Sequence, residues 1–518
     1  MKYLLSIFSF SISTFFVLIG QNSIPKVENI RTELRTNEKM IFVHFDVQDA
    51  ENDSIRVRLK SSLDGEFYQI INDDLSGDVG DNIGNGQKTM VWSYPENTNL
   101  QNISLKLSVW DQVKPEIGTW VNEVSEVLIR QFMDKMEGPR HYATSKNKLE
   151  EVKNFINSEF LDKGLATYRQ DFVHLNQNGQ NIIGRKAGLI NENRSWIIDA
   201  HFDSVQSSPG ADDNASGVCA VLEISRVLKD FAFADNLVFI GFDFEEAGLI
   251  GSKRYVASGI RPYEKIQGAY NMEMIGYYSD QPNSQMLPAG FNILFPEVSA
   301  AVANDQFRGN FLTNVGNTAS SSLIASIQSS ATQWVPELKV YSLAVPGNGS
   351  IAPDLRRSDH APFWDVGIQA LMLTDGSNFR NHNYHTPADS SATLDFTFMT
   401  RVTKTILGAV AKSAQPLNGK QYDLGGFITK THDHQDARPM VQLYPNPIRS
   451  AANLKIIGMK DKLFRVRVIS LEGIIHKTTY MYGMSEIQLA LDTLTAGMYL
   501  VVMDSDELTI TKELVIGN

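Results

Sequence analysis

Three short runs, Trp196-Ile-Ile-Asp-Ala200, Leu237-Val-Phe-Ile-Gly-Phe-Asp243 and Ile368-Gln-Ala-Leu-Met-Leu-Thr374, are strand-like and too apolar to turn one face to water. A strand of that kind has to be covered on both sides. Between and after them, Ala215 to Lys229 and Phe398 to Ala414 carry apolar residues at helical spacing. Strand and helix alternating over residues 122–415 predict an α/β domain with a central, mostly parallel sheet covered by helices. Open α/β sheets collect their ligands in the crevice at the carboxyl ends of the strands, so the residues just after each run carry the most information.

Those residues are acidic groups and imidazoles. His201 follows the first run, and Asp203 stands two positions later, where it can hold the other ring nitrogen of His201. Asp213 lies in Gly210-Ala-Asp-Asp213-Asn-Ala-Ser-Gly217, at the turn into a helix. Glu245-Glu246 close the second run; Glu273 follows Ala269-Tyr-Asn-Met, and His385 sits in Asn-Tyr384-His385-Thr-Pro. Imidazole and carboxylate are zinc donors, and catalytic zinc sites keep a position open for water. A carboxylate held at a turn, such as Asp213, can bridge two metals about 3.5–4 Å apart. Adjacent carboxylates point different ways, so one of Glu245 and Glu246 can bind metal while its neighbour acts as a general base. Alone, that pair would read equally well as two acids at a helix N-terminus. With four other donors at strand ends, the set looks like two adjoining divalent-metal sites with a spare carboxylate, the equipment for hydrolysing a peptide bond.

The chain has 518 residues, enough for about three domains. A net charge of -12 argues against nucleic acid or anionic lipid as the main partner. Residues 1–20 fit a secretory signal peptide, with Lys2 before a short serine-rich apolar stretch, and no segment suits a membrane span. Cys219, the single cysteine, lies in an apolar run and reads as a buried helix residue without a catalytic task. Residues 23–112 alternate apolar and polar positions between turns such as Asp64-Gly65, the pattern of a small β-sandwich resembling fibronectin type III-like modules. Residues 416–440, with Gly425-Gly426 and Thr431-His-Asp-His-Gln-Asp436, read as a linker, and 441–518 as a second small β-sandwich.

The segment 122–415 closely resembles the co-catalytic di-zinc aminopeptidase family, which also includes plasma glutamate carboxypeptidase-like enzymes, the transferrin receptor ectodomain and glutaminyl cyclases. The motifs that carry the resemblance are His201-x-Asp203-Ser204, Gly210 to Gly217, Glu245-Glu246, Asn271-x-Glu273-Met274-x-Gly276, Ser358-Asp359-His360 and Tyr384-His385-Thr386-Pro387. The resemblance implies a phosphorylase/hydrolase-like fold with a central mixed, mostly parallel sheet and two zinc ions. One ion would take His201 and Glu273, the other Glu246 and His385, with Asp213 shared. Glu245 would activate the bridging water, Tyr384 would stabilise the oxyanion, and a cis peptide would follow Asp213. Asp203 and Asp359 would support the ligands, while His360 and His382 would not be ligands. Many members carry aspartate where this chain has Glu273, which leaves open whether the enzyme works at the amino or the carboxyl end of a peptide. The tail, from Tyr444-Pro445-Asn446-Pro447 to Gly497-Met-Tyr499-Leu-Val501, resembles the C-terminal sorting domain of type IX secretion substrates. It implies passage through that machinery and release or anchoring at the cell surface. The expected function is that of a secreted zinc exopeptidase acting on peptides or proteins, most simply an aminopeptidase. A carboxypeptidase or dipeptidase of the same fold and a non-catalytic surface binding protein remain as alternatives.

Overall fold

The strand Asn191–His201, which contains the first apolar run, lies inside an eight-stranded sheet. Across that sheet the order is Lys339–Val345, Phe311–Asn317, Ala370–Thr374, Lys265–Met272, Asn191–His201, Asp235–Phe242, Gln177–Lys186 and Ala166–His174. Lys265–Met272, Asn191–His201, Asp235–Phe242 and Ala370–Thr374 run parallel to one another, and antiparallel pairings join this group to the strands outside it. The sheet is therefore mixed with a parallel centre. Every residue of Asp235–Phe242 and of Ala370–Thr374 is buried, as strands covered on both faces require. The helices Gly217–Leu228 and Phe396–Ser413 pack with one side's core, and Tyr255, Phe363 and Trp364 with the other's. Cys219 is buried in Gly217–Leu228, and burial pushes its thiol pKa up.

This computed structural model describes residues 22–426, apart from 64–67, 97, 99 and 101–102. It also describes 440–517, apart from the stretches 449–450, 458–462, 471–473, 483–485, 492 and 506–508. The expected signal peptide, the histidines of 431–436 and the Leu471–Gly473 turn lie outside the described residues. Among the described residues no helix is long and apolar enough to cross a membrane.

Residues 26–111 form two facing sheets. One pairs Lys26–Arg35, Met40–Gln48, Gly86–Ser93 and Leu75–Gly77; the other is built on Ile55–Ser62 and Ser104–Asp111. The alternating burial of Met40–Gln48 places Ile41, Val43, Phe45 and Val47 against Val57, Leu59, Leu105 and Leu107. Part of the expected linker is strand. Gly419–Gly426 pairs antiparallel with Ser104–Asp111 and completes the second sheet, while Pro416 and Leu417 pair with Ala232 and Phe233. The physical reason is an edge. Without Gly419–Gly426 the strand Ser104–Asp111 would present a row of unpaired N–H and C=O groups, and Tyr422 and Leu424 supply the inward alternation. The tail is a separate unit beginning near Thr429. Its sheets, of three and four strands, enclose Leu454, Ile456, Val466, Val468 and Val501, and its Tyr444-Pro445 and Asn446-Pro447 bonds are cis.

The N-terminal sandwich meets the α/β domain through a buried charge. Lys60, on Ile55–Ser62, is fully buried, and its Nζ donates to Glu192 at 2.8 Å and to the Gly188 carbonyl at 2.9 Å. Glu192 also accepts the Tyr68 N–H at 3.0 Å. Removing one member of such a pair strands the other in a dry site. Lys60→Met should destabilise the chain by about 3–5 kcal/mol in chemical denaturation. Adding Glu192→Leu should recover most of that loss.

Candidate active site: two donor groups sharing Asp213

The parallel strands end together, and the expected donors meet there. His201 Nε2 lies 3.3 Å from Asp213 Oδ1 and 3.3 Å from Glu273 Oε2. His385 Nε2 lies 3.1 Å from Asp213 Oδ2 and 3.2 Å from Glu246 Oε2. Atoms about 2.0–2.1 Å from a tetrahedral zinc are about 3.3 Å from one another. The spacing is therefore that of ligands around a centre, and Asp213 turns one oxygen to each imidazole. Glu245 stands close to His201 and Glu273, within 4.8 Å as a possible donor. The shorter contact of His201 is with Asp213, which leaves Glu245 as the carboxylate outside the two tightly spaced sets.

The residues fit a pair of divalent cations on two further observations. Both ring nitrogens of His201 and Oε1 of Glu246 are buried without a hydrogen-bond partner, which is costly unless something else engages them. The carboxylates also crowd. Burial, with Asp213 beside it, pushes the Glu246 pKa up to about 7. Burial likewise drives Glu245 well above the usual range, with Glu273, Asp359 and Glu246 adding to the rise against His201. Burial opposes a proton on His385, yet Asp213 and Glu246 raise its pKa to about 10. Protons compensate a surplus of negative charge that cations would otherwise discharge.

Backbone geometry sets each donor. Phe244, at φ 58°, turns the chain left-handed after the strand Asp235–Phe242. The N–H groups of Glu245 and Glu246 then both donate to Asp203, at 3.0 Å to Oδ1 and 3.2 Å to Oδ2. Asp203 Oδ1 is 3.4 Å from His201 Nδ1, so its shorter bonds clamp the glutamate pair, a different emphasis from the ring-holding task expected of it. The Asp213-Asn214 peptide is cis. Asn214 donates to the Met272 carbonyl at 2.8 Å and accepts the Met274 N–H at 3.1 Å, tying the Asp213 turn to the strand that presents Glu273. Glu273 Oε2 accepts from Ser358 Oγ at 2.8 Å, and the same hydroxyl contacts Asn271, which donates to buried Asp199 at 2.7 Å. The longer glutamate side chain thus reaches the donor position and is fixed there. Asp359 is fully buried with both oxygens unpartnered, and burial raises its pKa to about 7. His360 instead turns Nε2 to the Leu355 carbonyl at 3.0 Å, and His382 is exposed; neither belongs to a donor group.

Tyr384 stacks on His385, with ring centroids 3.7 Å apart. Its hydroxyl oxygen accepts from Arg357 Nη2 at 2.9 Å. Burial first, then Asp213, Glu246 and Glu273, push the phenol pKa up against Arg357, so the group keeps its proton to donate. Beside Tyr384 and Glu273 opens a cavity whose apolar lining includes Met286, Leu287, Phe291, Phe311 and Met372.

Several supports were not found from the sequence. Asp389 accepts the N–H of Asp212 at 2.9 Å and of Asp213 at 3.2 Å. Its one sequence signal is its place just after the Tyr384 to Pro387 motif. Asp212 accepts from Gly276 N–H at 2.9 Å and Asn381 at 2.7 Å. Arg140 is fully buried, and its guanidinium donates to carbonyls, among them Phe202 at 2.7 Å, Pro209 at 2.6 Å and Gly210 at 2.8 Å. Gly210 has φ 61°, and a Cβ there would lie 2.5 Å from the Asp213 carbonyl, so only glycine fits.

Residues 181–410 match the description "Peptidase family M28" and residues 442–517 match "Secretion system C-terminal sorting domain". Residues 181–410 thus resemble the zinc metallopeptidases of family M28, and a type IX sorting domain lies behind them. It is similar to the uncharacterized protein YfbL of Escherichia coli, 28% identical over 306 residues, covering 55% of this chain and 89% of the relative. It is also similar to aminopeptidase YwaD of Bacillus subtilis, 30% identical over 220 residues, covering 42% of this chain and 40% of that one. The chain thus spans about two fifths of that aminopeptidase's length. Among solved structures, the zinc aminopeptidase BSAP of Bacillus subtilis aligns with a TM-score of 0.44 and 17% identity, over 56% of this chain and 95% of that one.

Replacing Asp389 by asparagine removes one of the two acceptors that hold the Asp212–Asp213 backbone. Asp389→Asn should weaken metal binding about 10–100-fold, the usual cost of losing such a support, in competition against a coloured chelator.

Proposed function

We propose that this protein is an exported two-zinc exopeptidase that removes residues with apolar side chains from the amino terminus of peptides. The observation that carries the reading is the shared carboxylate of Asp213, with donors spaced 3.1–3.3 Å on either side and Glu245 left outside those sets. His201, Glu273 and Asp213 would hold one ion and His385, Glu246 and Asp213 the other; when bound, such a pair supplies Lewis acidity and a more acidic attacking water. Glu245 accepts the proton of that water and returns it to the leaving amine, so the peptide C–N bond breaks with no net change at the carboxylate. The Tyr384 hydroxyl, its oxygen already taken by Arg357, donates to the carbonyl oxygen as negative charge develops there. Glu273 lines both the donor group and the apolar cavity. A free α-amine paired with Glu273 or Glu245 would therefore leave the first side chain inside that cavity. A glutaminyl cyclase is disfavoured because those enzymes work with one zinc, whereas this chain has donors for two. Five intact donors likewise argue against a purely adhesive surface protein.

One observation favours a carboxypeptidase or dipeptidase instead. The Arg357 guanidinium lines the same cavity and could receive a substrate carboxylate.

Glu245→Gln should retain two zinc ions per chain by elemental analysis while kcat falls about 10²–10⁴-fold. Near-normal turnover would remove Glu245 from the base role. In a peptide panel, N-terminal Leu, Met and Phe should be released faster than Asp or Lys, and N-acetylation should abolish release. Persistent cleavage of the acetylated peptides would favour the carboxypeptidase reading.

A further inference from the structure

A second group of oxygen donors lies in the N-terminal sandwich. Asp49 and Asp53, in the loop after Met40–Gln48, and Asp111, the last residue of Ser104–Asp111, each offer a carboxylate oxygen within 4.8 Å of the others. Asp49 and Asp111 are each only 2% exposed. Asp49 Oδ1 accepts the N–H groups of Glu51 at 3.1 Å and Asp53 at 2.8 Å, which curls the loop around its own carboxylate. Its other oxygen, Oδ2, is buried and has no hydrogen-bond partner. A buried carboxylate oxygen left bare beside two more carboxylates is expensive unless a cation meets it.

The surroundings do not supply that cation. Asp111 accepts from the Val113 N–H at 2.8 Å, from the Asn22 amide at 2.9 Å and from the Asn418 amide. These donors are neutral. Among the described residues no lysine, arginine or histidine forms an ion pair with Asp49, Asp53 or Asp111, although surface pairs such as Arg58–Asp81 occur on the neighbouring strands. Burial raises the Asp111 pKa, the two amides and Val113 pull it back, and the Asp49 carboxylate adds to the rise.

We propose that Asp49, Asp53 and Asp111 bind a calcium ion that locks the sandwich to the start and end of the peptidase domain. All the donors are oxygen, which selects a hard cation over zinc. Calcium tolerates the irregular geometry of loop carboxylates, whereas magnesium demands a near-ideal octahedron. The position gives the ion its effect. Asp111 precedes the crossover into the α/β domain, and its N–H donates to the Asn418 carbonyl at 3.1 Å, where the chain returns as Gly419–Gly426. Asn418 also donates to the Ser23 carbonyl at 2.8 Å. An ion on Asp111 thus orders the N-terminal segment, the β-loop at Asp49 and the closing strand together. The proposal is independent of the activity assigned to the zinc site.

The test uses the full chain saturated with zinc, so that the catalytic donors are closed to a second metal, titrated with calcium chloride. One calcium should bind per chain at about 10⁻⁴–10⁻³ M, the affinity range of extracellular modules, by calorimetry. The thermal midpoint should rise by about 2 °C at tenfold excess over the dissociation constant. Asp53→Asn and Asp49→Asn should keep the turnover of the wild type but lose the calcium heat and the thermal shift. Asp53 is half-buried at the edge of the cluster, so that variant retains the fold even where Asp49→Asn does not. No calcium binding by the wild type up to about 10 mM, ten times the weak end of that affinity range, or an undiminished shift in Asp53→Asn, would overturn the proposal.

Discussion

The site depends on one carboxylate being seen from two sides. Asp213 presents Oδ1 to His201 and Oδ2 to His385, and a small rotation would lengthen one contact as it shortened the other. Its backbone is accordingly fixed from every direction. Asp389 takes the N–H groups of residues 212 and 213, Asn214 bonds across to the strand carrying Glu273, and Arg140 fastens the preceding loop by its carbonyls. Side chains of such different character share one task, which is to leave the Asp213 carboxylate no freedom.

The same site shows why folding alone does not settle its charge. Asp199, Asp203, Asp212, Asp213 and Asp359 are all buried with Glu273 around one edge of the sheet. Some are made tolerable by N–H donors, as Asp203 and Asp212 are. Glu246 has no such relief at Oε1, and burial with Asp213 beside it holds its proton up. Asp199 Oδ2 and both oxygens of Asp359 are also unpartnered, whereas Glu273 Oε2 accepts from Ser358, so a bare buried oxygen marks this edge of the sheet as a whole.

How far the sequence reveals this follows from what generates each feature. Strand ends were legible because a two-sided apolar run that stops at a histidine or an acid marks both the strand and the edge where it finishes. His201, Glu245, Glu246 and Glu273 could therefore be placed in one crevice, while Asp213, on a helical turn, and His385, in a loop, joined them through the motifs around them. Tyr384 could be placed beside them because it adjoins His385. The partners of backbone groups were not legible. Asp389 and Asp203 act on N–H groups, and nothing in residue type or spacing records which N–H a carboxylate will meet. Arg140 is the extreme case, a fully buried guanidinium whose partners are carbonyls and whose burial no pattern announces. Glu273 stood out as a departure from related aspartates; its reach is explained by Ser358 and Asn271, which hold the longer side chain at the donor position.

The strand Gly419–Gly426, inside the expected linker, has the widest structural consequence. Gly425-Gly426 and the polar residues after it signal a break, yet Lys420 to Leu424 alternates well enough to close a sheet whose other strands lie more than three hundred residues earlier. The sandwich therefore cannot complete its second sheet until the chain beyond the peptidase domain has arrived. The Lys60–Glu192 pair makes the dependence mutual, because a charge buried on the sandwich is neutralised only by the α/β domain. Two regions that look like successive modules in sequence thus finish one another. In physical terms the N-terminal sandwich is a wall of the peptidase unit, joined by a strand, a buried ion pair and the acidic junction at Asp111, and its removal would expose an edge and an unpaired charge at once.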